Sequence, residues 1–490
     1  MSLCTIVYEL LIGAISSYLL GNSIFQYSLT VGLFLSAMGL GSFFSKFIRT
    51  NLAAKFVAIE VVIGLVGGVS SLALFGIFAT SQIYHLFMGL FIVAIGTLAG
   101  IEIPLVTRIL RGSATLRVLI ANVLTWDYVG ALAGSLLFPL VLIPQLGLVH
   151  SAAAVGLVNV VVGFLVLFVF RDRITGFRGL FVTTVVASVA LIVLLVGSGA
   201  FTKFLEGRLF QDKVIMREQT QYQQLVFTRY RDDLRLYIDG NLQFSSADEF
   251  RYHEALVHVP LAAARVRERI LILGGGDGLA LRDVLRHVDV KQVTLVDLDP
   301  GILRLAREFP PLKRLNSASL DDPRVRVVPG DAFKYLEEYS GEGWNAILAD
   351  FPDPNNEALG KLYSVEFYRL VKRALAADGV FATQSTSPVL ARAAFWSIRK
   401  SVEAAGLSVA SFHAYVPAFG EWGFQLASPR AVQIPKALAP GISYRYLNDA
   451  LLPTLFVFAT DTGPVDVEPN TLLRPTINSY YRESTRKWLQ

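Results

Sequence analysis

Leu273-Gly274-Gly275-Gly276-Asp277-Gly278 lies between the apolar run Ile270–Leu273 and the helical stretch Leu279–His287, and its reading decides the fold. A short apolar run closed by glycines reads as a buried strand. Glycines at a strand end let the backbone pass close to a ligand, and the helix that follows presents free N–H groups. A plain tight turn uses the same residues, so the neighbours must decide. Outward from this point, strands at Gln292–Val296, Val325–Val328, Ala346–Ala349 and Val380–Thr383 alternate with helical stretches at Pro300–Phe309 and Val365–Ala376. Such alternation predicts a parallel, doubly wound α/β sheet whose ligands bind beyond the carboxyl ends of the strands.

The unusual residues fall at those ends. Asp297 closes the next strand, twenty residues after Asp277, where a carboxylate bonds ribose hydroxyls. Gly330-Asp331-Ala332 closes the strand after it. Three such sites at successive strand ends describe a nucleoside cleft of the Rossmann-like, S-adenosylmethionine-enzyme type. The following strand ends in Asp350-Phe351-Pro352-Asp353-Pro354. Two carboxylates three residues apart suit binding a cationic amine and accepting its proton. A solvated loop with an Asx-turn is the plain alternative.

Upstream, Lys213–Gln219, Gln224–Arg231 and Arg235–Ile238 read as strands, with Asp239-Gly240-Asn241 as a turn, which makes a small β-rich subdomain. The chain has 490 residues, 53% of them hydrophobic, and the apolar excess is concentrated in residues 1–201. A bilayer-spanning helix needs about 20 mostly apolar residues. Seven stretches qualify, near 3–20, 27–44, 56–79, 84–105, 118–143, 149–170 and 179–200, and the first reads as an uncleaved span. The expected organisation is a transmembrane domain over 1–201 and a linker with a β subdomain over 202–245. A catalytic domain over 246–430 and an extension over 431–490 complete it.

Within the apolar half, Gly32, Ser36, Gly39 and Gly41 read as packing positions. Glu9, Glu60, Glu102 and Asp127 fall in or beside apolar runs, where a carboxylate is costly; they read as a cationic path or as structural glue. Lys46, Arg49, Lys55, Arg108, Arg111, Arg117, Arg171, Arg173 and Arg178 lie in alternate loops, and the other loops hold no Lys or Arg. Positive loops stay cytoplasmic, which puts the second half outside. The single cysteine, Cys4, excludes an intramolecular disulfide and a Cys-based metal site. The net charge of +5 comes without a basic stripe interleaved with aromatics, so nucleic acid is not an expected partner.

Asp239-Gly240-Asn241-Leu242-Gln243-Phe244-Ser245-Ser246-Ala247-Asp248-Glu249-Phe250-Arg251-Tyr252-His253-Glu254 resembles the signature of spermidine synthases, as does Tyr222-Gln223 before it. Gly274–Gly278, Asp297, Gly330-Asp331-Ala332 and Asp350-x-x-Asp353-Pro354 follow in the family's order, so the resemblance covers roughly 210–428. The apolar half lies outside it and matches the membrane-fused bacterial type. The resemblance implies aminopropyl transfer from decarboxylated S-adenosylmethionine, as co-substrate, to a polyamine acceptor, with no cofactor and no metal. It implies that Asp350 is the base and that Asp353 and Tyr252 hold the acceptor, with His253 near the amines. Gln223 and Asp277 would place the donor's aminopropyl end, beside Gly274 and Gly276. Asp297 would bind the ribose, and Asp331 with Ala332 the adenine. Asn355-Asn356-Glu357 and Pro417-Ala418-Phe419 depart from the family's Val-Gly-Pro and Pro-Thr-Tyr, and both departures touch the acceptor side. The implied partners are the polyamine, the nucleoside sulfonium donor and the lipid bilayer, with homo-oligomerisation left open. A donor made in the cytosol places the catalytic domain on the cytoplasmic side, against the charge bias, and requires a miscounted span at 118–143. Competing readings are a methyltransferase on the same sheet and a polyamine sensor or transporter.

Overall fold

The computed structural model describes residues 2–20, 23–80, 83–111, 115–209 and 212–486, as two compact units, Met1–Lys213 and Val214–Gln490. Parts of the short loops near 21–26 and 80–83, of the basic loop near 108–117, and the junction 210–211 lie outside the described residues.

The first unit is helical: α1 (Ser2–Leu20), α2 (Ser23–Phe44), α3 (Leu52–Thr80), α4 (Tyr84–Ile109), α5 (Leu116–Leu137), α6 (Ile143–Val169) and α7 (Phe177–Leu209). The helices are apolar on their outward faces as well as inside, with Trp126 74% and Val196 80% exposed. A soluble helix would carry charge on that face. Among the described residues, five segments are long and apolar enough to cross a membrane: Ile24–Phe47, Leu52–Phe78, Tyr84–Ile109, Leu116–Val169 and Phe177–Gly197. The expected seven stretches correspond to the seven helices α1–α7. Of these, α5 and α6 run on from one another, so that Leu116–Val169 forms one 54-residue apolar piece. At 1.5 Å per residue that piece is about 80 Å long, twice and more what a bilayer core needs. It bends through a π-type turn, Phe138–Leu142, holding Pro139, and breaks at Gly147, whose φ is +70°.

Gly41 carries the packing expected of the small residues. A Cβ there would lie 1.9 Å from the Thr97 carbonyl oxygen, and one at Gly100 would lie 2.1 Å from that of Met38, so α2 and α4 touch backbone to backbone. Gly32 and Gly39 face open space instead. The basic loops serve the helix ends. Arg108 donates to the carbonyls of Ile48 (2.7 Å) and Ser45 (2.8 Å), and Asn51 donates to the Thr175 hydroxyl (2.6 Å). Those contacts put the loops at 45–51, 108 and 171–178 at one end of the bundle. Glu9, Glu60 and Glu102 are buried, and both carboxylate oxygens of Glu60 lack a hydrogen-bond partner among the described residues. Asp127 accepts from the Ser2 hydroxyl.

The second unit begins with a four-stranded sheet in the order β1 (Lys213–Gln219), β2 (Gln224–Tyr230), β3 (Asp233–Ile238), β4 (Asn241–Ser245). Asp239 and Gly240 both take positive φ, 48° and 79°, the two-residue turn whose twist suits a hairpin. Beyond it come α8 (Glu249–Ala263), β5 (Arg269–Gly274), α9 (Leu279–Val284), β6 (Gln292–Asp297), α10 (Pro300–Glu308), α11 (Pro310–Leu315), β7 (Val325–Pro329), α12 (Ala332–Glu338) and β8 (Trp344–Asp350). The remainder is α13 (Glu357–Gly360), α14 (Val365–Ala374), β9 (Leu375–Gln384), α15 (Arg392–Ala404), β10 (Ser408–Val416), β11 (Gly420–Ser428) and α16 (Ile477–Arg486). The seven-stranded sheet has the order β10-β11-β9-β8-β5-β6-β7. It is mixed rather than parallel, which corrects the expectation: five strands run parallel, and at one edge β11 pairs antiparallel with β9 and β10 antiparallel with β11, so that β11 alone runs the other way. The continuous apolar runs of β5, β6 and β8 follow from burial on both faces, with Ile270, Leu271, Val293, Leu295, Ile347 and Leu348 at 0% exposure.

Candidate active site

Gly274 pairs in register with Asp350, Leu273 with Val296, and Asp297 with Pro329. The carboxyl ends of β8, β5, β6 and β7 therefore stand side by side. At about 4.8 Å per strand the row is about 14 Å long. The sequential order reverses between β8 and β5, and the crevice at such a point is where these sheets bind ligands.

On the β5–β6 side the glycines are steric necessities. Gly274 takes φ +79°, and a Cβ there would lie 2.1 Å from the Asp350 carbonyl oxygen. A Cβ at Gly276 would lie 2.7 Å from an Asp297 carboxylate oxygen. That approach lets the Gly276 N–H donate to Asp297 (2.9 Å), whose other oxygen accepts from the Asp299 N–H (2.9 Å). Each oxygen can accept a further bond. Burial raises the Asp297 carboxyl to about 6 in spite of these donors. Asp277 accepts from the Leu279 N–H (2.9 Å), and burial raises it to about 6 against the opposing charge of His253. The Gln223 amide donates to Asp299 (2.9 Å), so its donor group braces the turn after β6. Asp331 starts α12, accepting from the Phe333 N–H (2.8 Å), and pairs with Lys361 at 2.6 Å. Burial opposes its charge, but the Lys361 bond holds it below its ordinary value. Ala332 is buried beside it.

On the β8 side, the Tyr252 hydroxyl, from α8, donates to Asp350 at 2.6 Å. Burial raises Asp350, with His253 and the Tyr252 bond acting the other way. Burial and the facing Asp350 push Tyr252 well above its ordinary value, so it remains a donor. Asp353 accepts on one oxygen from the hydroxyls of Tyr481 (2.9 Å) and Thr386 (3.2 Å), and burial raises it to about 6. Its other oxygen is buried and without a partner among the described residues. His253 is buried, with Nδ1 2.7 Å from a Glu249 carboxylate oxygen. Burial works against an imidazolium, but Glu249 lifts His253 to about 9, and Arg282 at 2.9 Å holds Glu249 in place. His253 is thus a fixed positive charge behind the carboxyl row.

Four carboxyls raised by burial, of which Asp277 and Asp350 face the single His253 imidazolium, favour a cationic ligand, and raised carboxyls are suited to taking a proton. The structure brings Asp277, Asp297, Asp331, Asp350, Asp353, Tyr252 and His253 to one edge of the sheet. Thr386 and Tyr481 were missed by the sequence reading. Thr386 follows a polar run, Gln384-Ser385, at the end of β9, a position that strand-end reasoning reaches. Nothing in the sequence marks Tyr481. A separate cavity lies beside Arg282, Arg286 and Arg324, whose charges are already paired with Glu249, Asp283 and Asp322.

The mixed sheet and its strand-end row define a Rossmann-like α/β domain of the methyltransferase type. The sequence pattern of the spermine/spermidine synthase domain matches residues 249–434. Polyamine aminopropyltransferase 1 of Streptomyces coelicolor is 44% identical over 99% of this chain and 93% of its own length. The polyamine aminopropyltransferase of Leptospira interrogans is 42% identical over 99% and 97%. A solved spermidine synthase from Thermotoga maritima is 27% identical over 50% of this chain and 85% of its own, with a TM-score of 0.47. The chain belongs to the polyamine aminopropyltransferase family, helical unit included, and is an enzyme of that kind.

Proposed function

We propose that this chain transfers the aminopropyl group of decarboxylated S-adenosylmethionine to putrescine, giving spermidine and methylthioadenosine. The observation that carries the reading is the Asp350–Asp353 pair at the end of β8, beside the glycine loop of β5 and Asp297 of β6. Asp297 bonds the ribose hydroxyls, Asp331 and Ala332 border the adenine, and Asp277 faces the donor's ammonium. Gln223 supports that side through Asp299. Asp353 and Tyr252 hold the acceptor diamine. Asp350 takes a proton from its near ammonium, and the neutral amine attacks the propyl carbon next to sulfur. The C–N bond forms as the C–S bond breaks, its electron pair returning to sulfur, so the cationic donor leaves as a neutral thioether. Positioning and one proton transfer supply the catalysis. Purified full-length protein given the decarboxylated donor and an amine panel yields spermidine by product mass. Methylated product from intact S-adenosylmethionine, or amine binding without turnover, overturns the reading.

The helical unit is proposed to cross the lipid bilayer, supported by its five long apolar segments and their apolar outer faces. The catalytic unit is placed on the cytoplasmic face because the donor is made there. That placement carries a condition. Asn51 touches Thr175, so the basic loop before α3 and the basic loop after α6 share an end, and a miscounted α5 does not reconcile charge bias with donor supply. The basic loops must then face outward. A reporter active only outside the cytoplasm, fused after Gln490, is silent in this arrangement; strong activity reverses it.

A further inference from the structure

The C-terminal stretch holds on to the segment that follows Asp353. The Asn470 amide donates to the Gly360 carbonyl (2.9 Å), the Val365 N–H donates to the Asn470 carbonyl (2.9 Å), and the Leu472 N–H donates to Glu366 (3.0 Å). Arg482 pairs with Glu357 at 3.4 Å, and Ile477 is fully buried. These anchors seat α16 so that the Tyr481 hydroxyl reaches Asp353. The second donor to that oxygen is held under strain. Thr386 sits at φ +58°, a conformation unusual for a β-branched residue. Its N–H donates to Gln384 (2.9 Å) and its carbonyl accepts from the Gly423 N–H (2.7 Å). Strain of this kind persists where the surroundings over-determine it, and it clusters at functional sites.

We propose that residues 467–486 are part of the amine site, and that Tyr481 is the positioning residue that turns Asp353 toward the acceptor's distal ammonium. The proposal rests on the aminopropyl-transfer reading above. Two hydroxyls saturate one oxygen of Asp353, and the partnerless oxygen is the one left for an ammonium, which carries only donors. The groups around Asp353 are Tyr481 from α16, Thr386 and Gln384 after β9, Tyr363 before α14, Tyr252 from α8 and Asp350 from β8. None of them is cationic, so hydrogen bonds, from the Tyr481 and Thr386 hydroxyls and the Gln384 side chain, are what favour the ionised carboxylate there. The two hydrogen bonds also fix which way the carboxylate plane faces.

Tyr481→Phe keeps the ring and removes the bond. The expected result is a KM for putrescine raised about tenfold, with kcat and donor affinity changed less than about twofold. A purely structural role would lower these together. Loss of a bond to the charged form raises the Asp353 pKa further, so the acid limb of 1/KM for the amine moves to higher pH. The full-length parent, assayed alongside, separates the two ideas. A parent that transfers nothing to any amine defeats the aminopropyl reading. A working parent whose Tyr481→Phe form keeps its amine KM and acid limb defeats only the role of Tyr481. Should that variant fail to fold, Arg482→Gln, which frees α16 from Glu357 without touching Asp353, replaces it. An unchanged amine KM in that variant sinks the proposal equally.

Discussion

Asp297 receives both its hydrogen bonds from backbone N–H groups within 21 residues of itself, whereas Asp353 receives both from side-chain hydroxyls 33 and 128 residues away. Asp350, beside Asp353, accepts from a tyrosine 98 residues upstream. One end of the cleft is therefore a local strand–loop–helix device, written into a few dozen residues. The other is assembled from four separated pieces of the chain. Backbone donors are supplied by any residue but proline, so these two bonds to Asp297 do not depend on a neighbouring side chain. Side-chain donors can be changed by substitution, and an amine site built from them can be retuned one residue at a time.

The largest expected effect breaks the amine end alone. Asp350→Asn should lower kcat about 10³-fold while leaving the donor's dissociation constant within about twofold, since an amide accepts no proton. Isothermal titration with the donor beside a turnover assay checks this. Donor affinity collapsing with turnover would mean that the two ends are one unit. Asp353→Asn should raise the KM for putrescine about 30-fold, the loss of a charge-assisted bond. In the parent that KM should climb as pH falls through about 6, because the carboxyl pairs with an ammonium only when ionised.

The same contrast explains what could be read from the sequence. The glycine loop, Asp297, Asp331 and the Asp350–Asp353 pair sit at fixed offsets from strand ends, and periodicity found those strands within two or three residues, save Val380–Thr383, the end of the longer β9. The β4 strand and α8 are harder to read as secondary structure, because polar and charged residues interrupt the periodicity over Asn241–Glu254. The antiparallel pairing of β10 and β11 was missed, since direction is a property of pairing partners and leaves no mark on either strand alone. Tyr481 was beyond reach for a related reason. Its role depends on the path of some fifty intervening residues with little regular structure, and a Tyr480-Tyr481 pair on an amphipathic helix looks like packing.

A smaller effect concerns stability, and its sign should differ between the two ends. A carboxyl raised to about 6 on folding holds more protons in the folded state, so its contribution to stability declines as pH rises from about 4 to above 6. Asp353→Asn removes that buried charge, and its carbonyl oxygen can still accept from the Tyr481 and Thr386 hydroxyls. The α/β unit should gain about 1–2 kcal/mol at pH 8, allowing for solvent screening, and little at pH 4. Asp297→Asn shares the burial but must present an NH₂ to one of two backbone N–H donors, and it should lose stability at both pH values. Thermal unfolding of the two variants at pH 8 reads the difference. A gain for both would show that desolvation outweighs the backbone bonds at the nucleoside end.

The smallest effect is expected at Phe419, where the family's tyrosine is absent. Its ring packs against Trp422 at 5.2 Å in the turn joining β10 to β11, and the neighbouring Ala418 N–H is tied to Asp248 at 2.6 Å. That turn is therefore held from the side of the small sheet. The hydroxyl that Asp353 needs is already supplied by Tyr481 from α16. On this account Phe419→Tyr adds a hydroxyl to a site whose carboxylate is satisfied on one oxygen and reserved for the amine on the other. The ratio of kcat/KM for putrescine to that for a longer diamine should move by less than about threefold, under 1 kcal/mol of discrimination. A shift of tenfold would place the control of amine choice in the β10–β11 turn rather than in α16. It would also predict that Phe419→Tyr rescues the amine KM of Tyr481→Phe, because either hydroxyl would then do the same task.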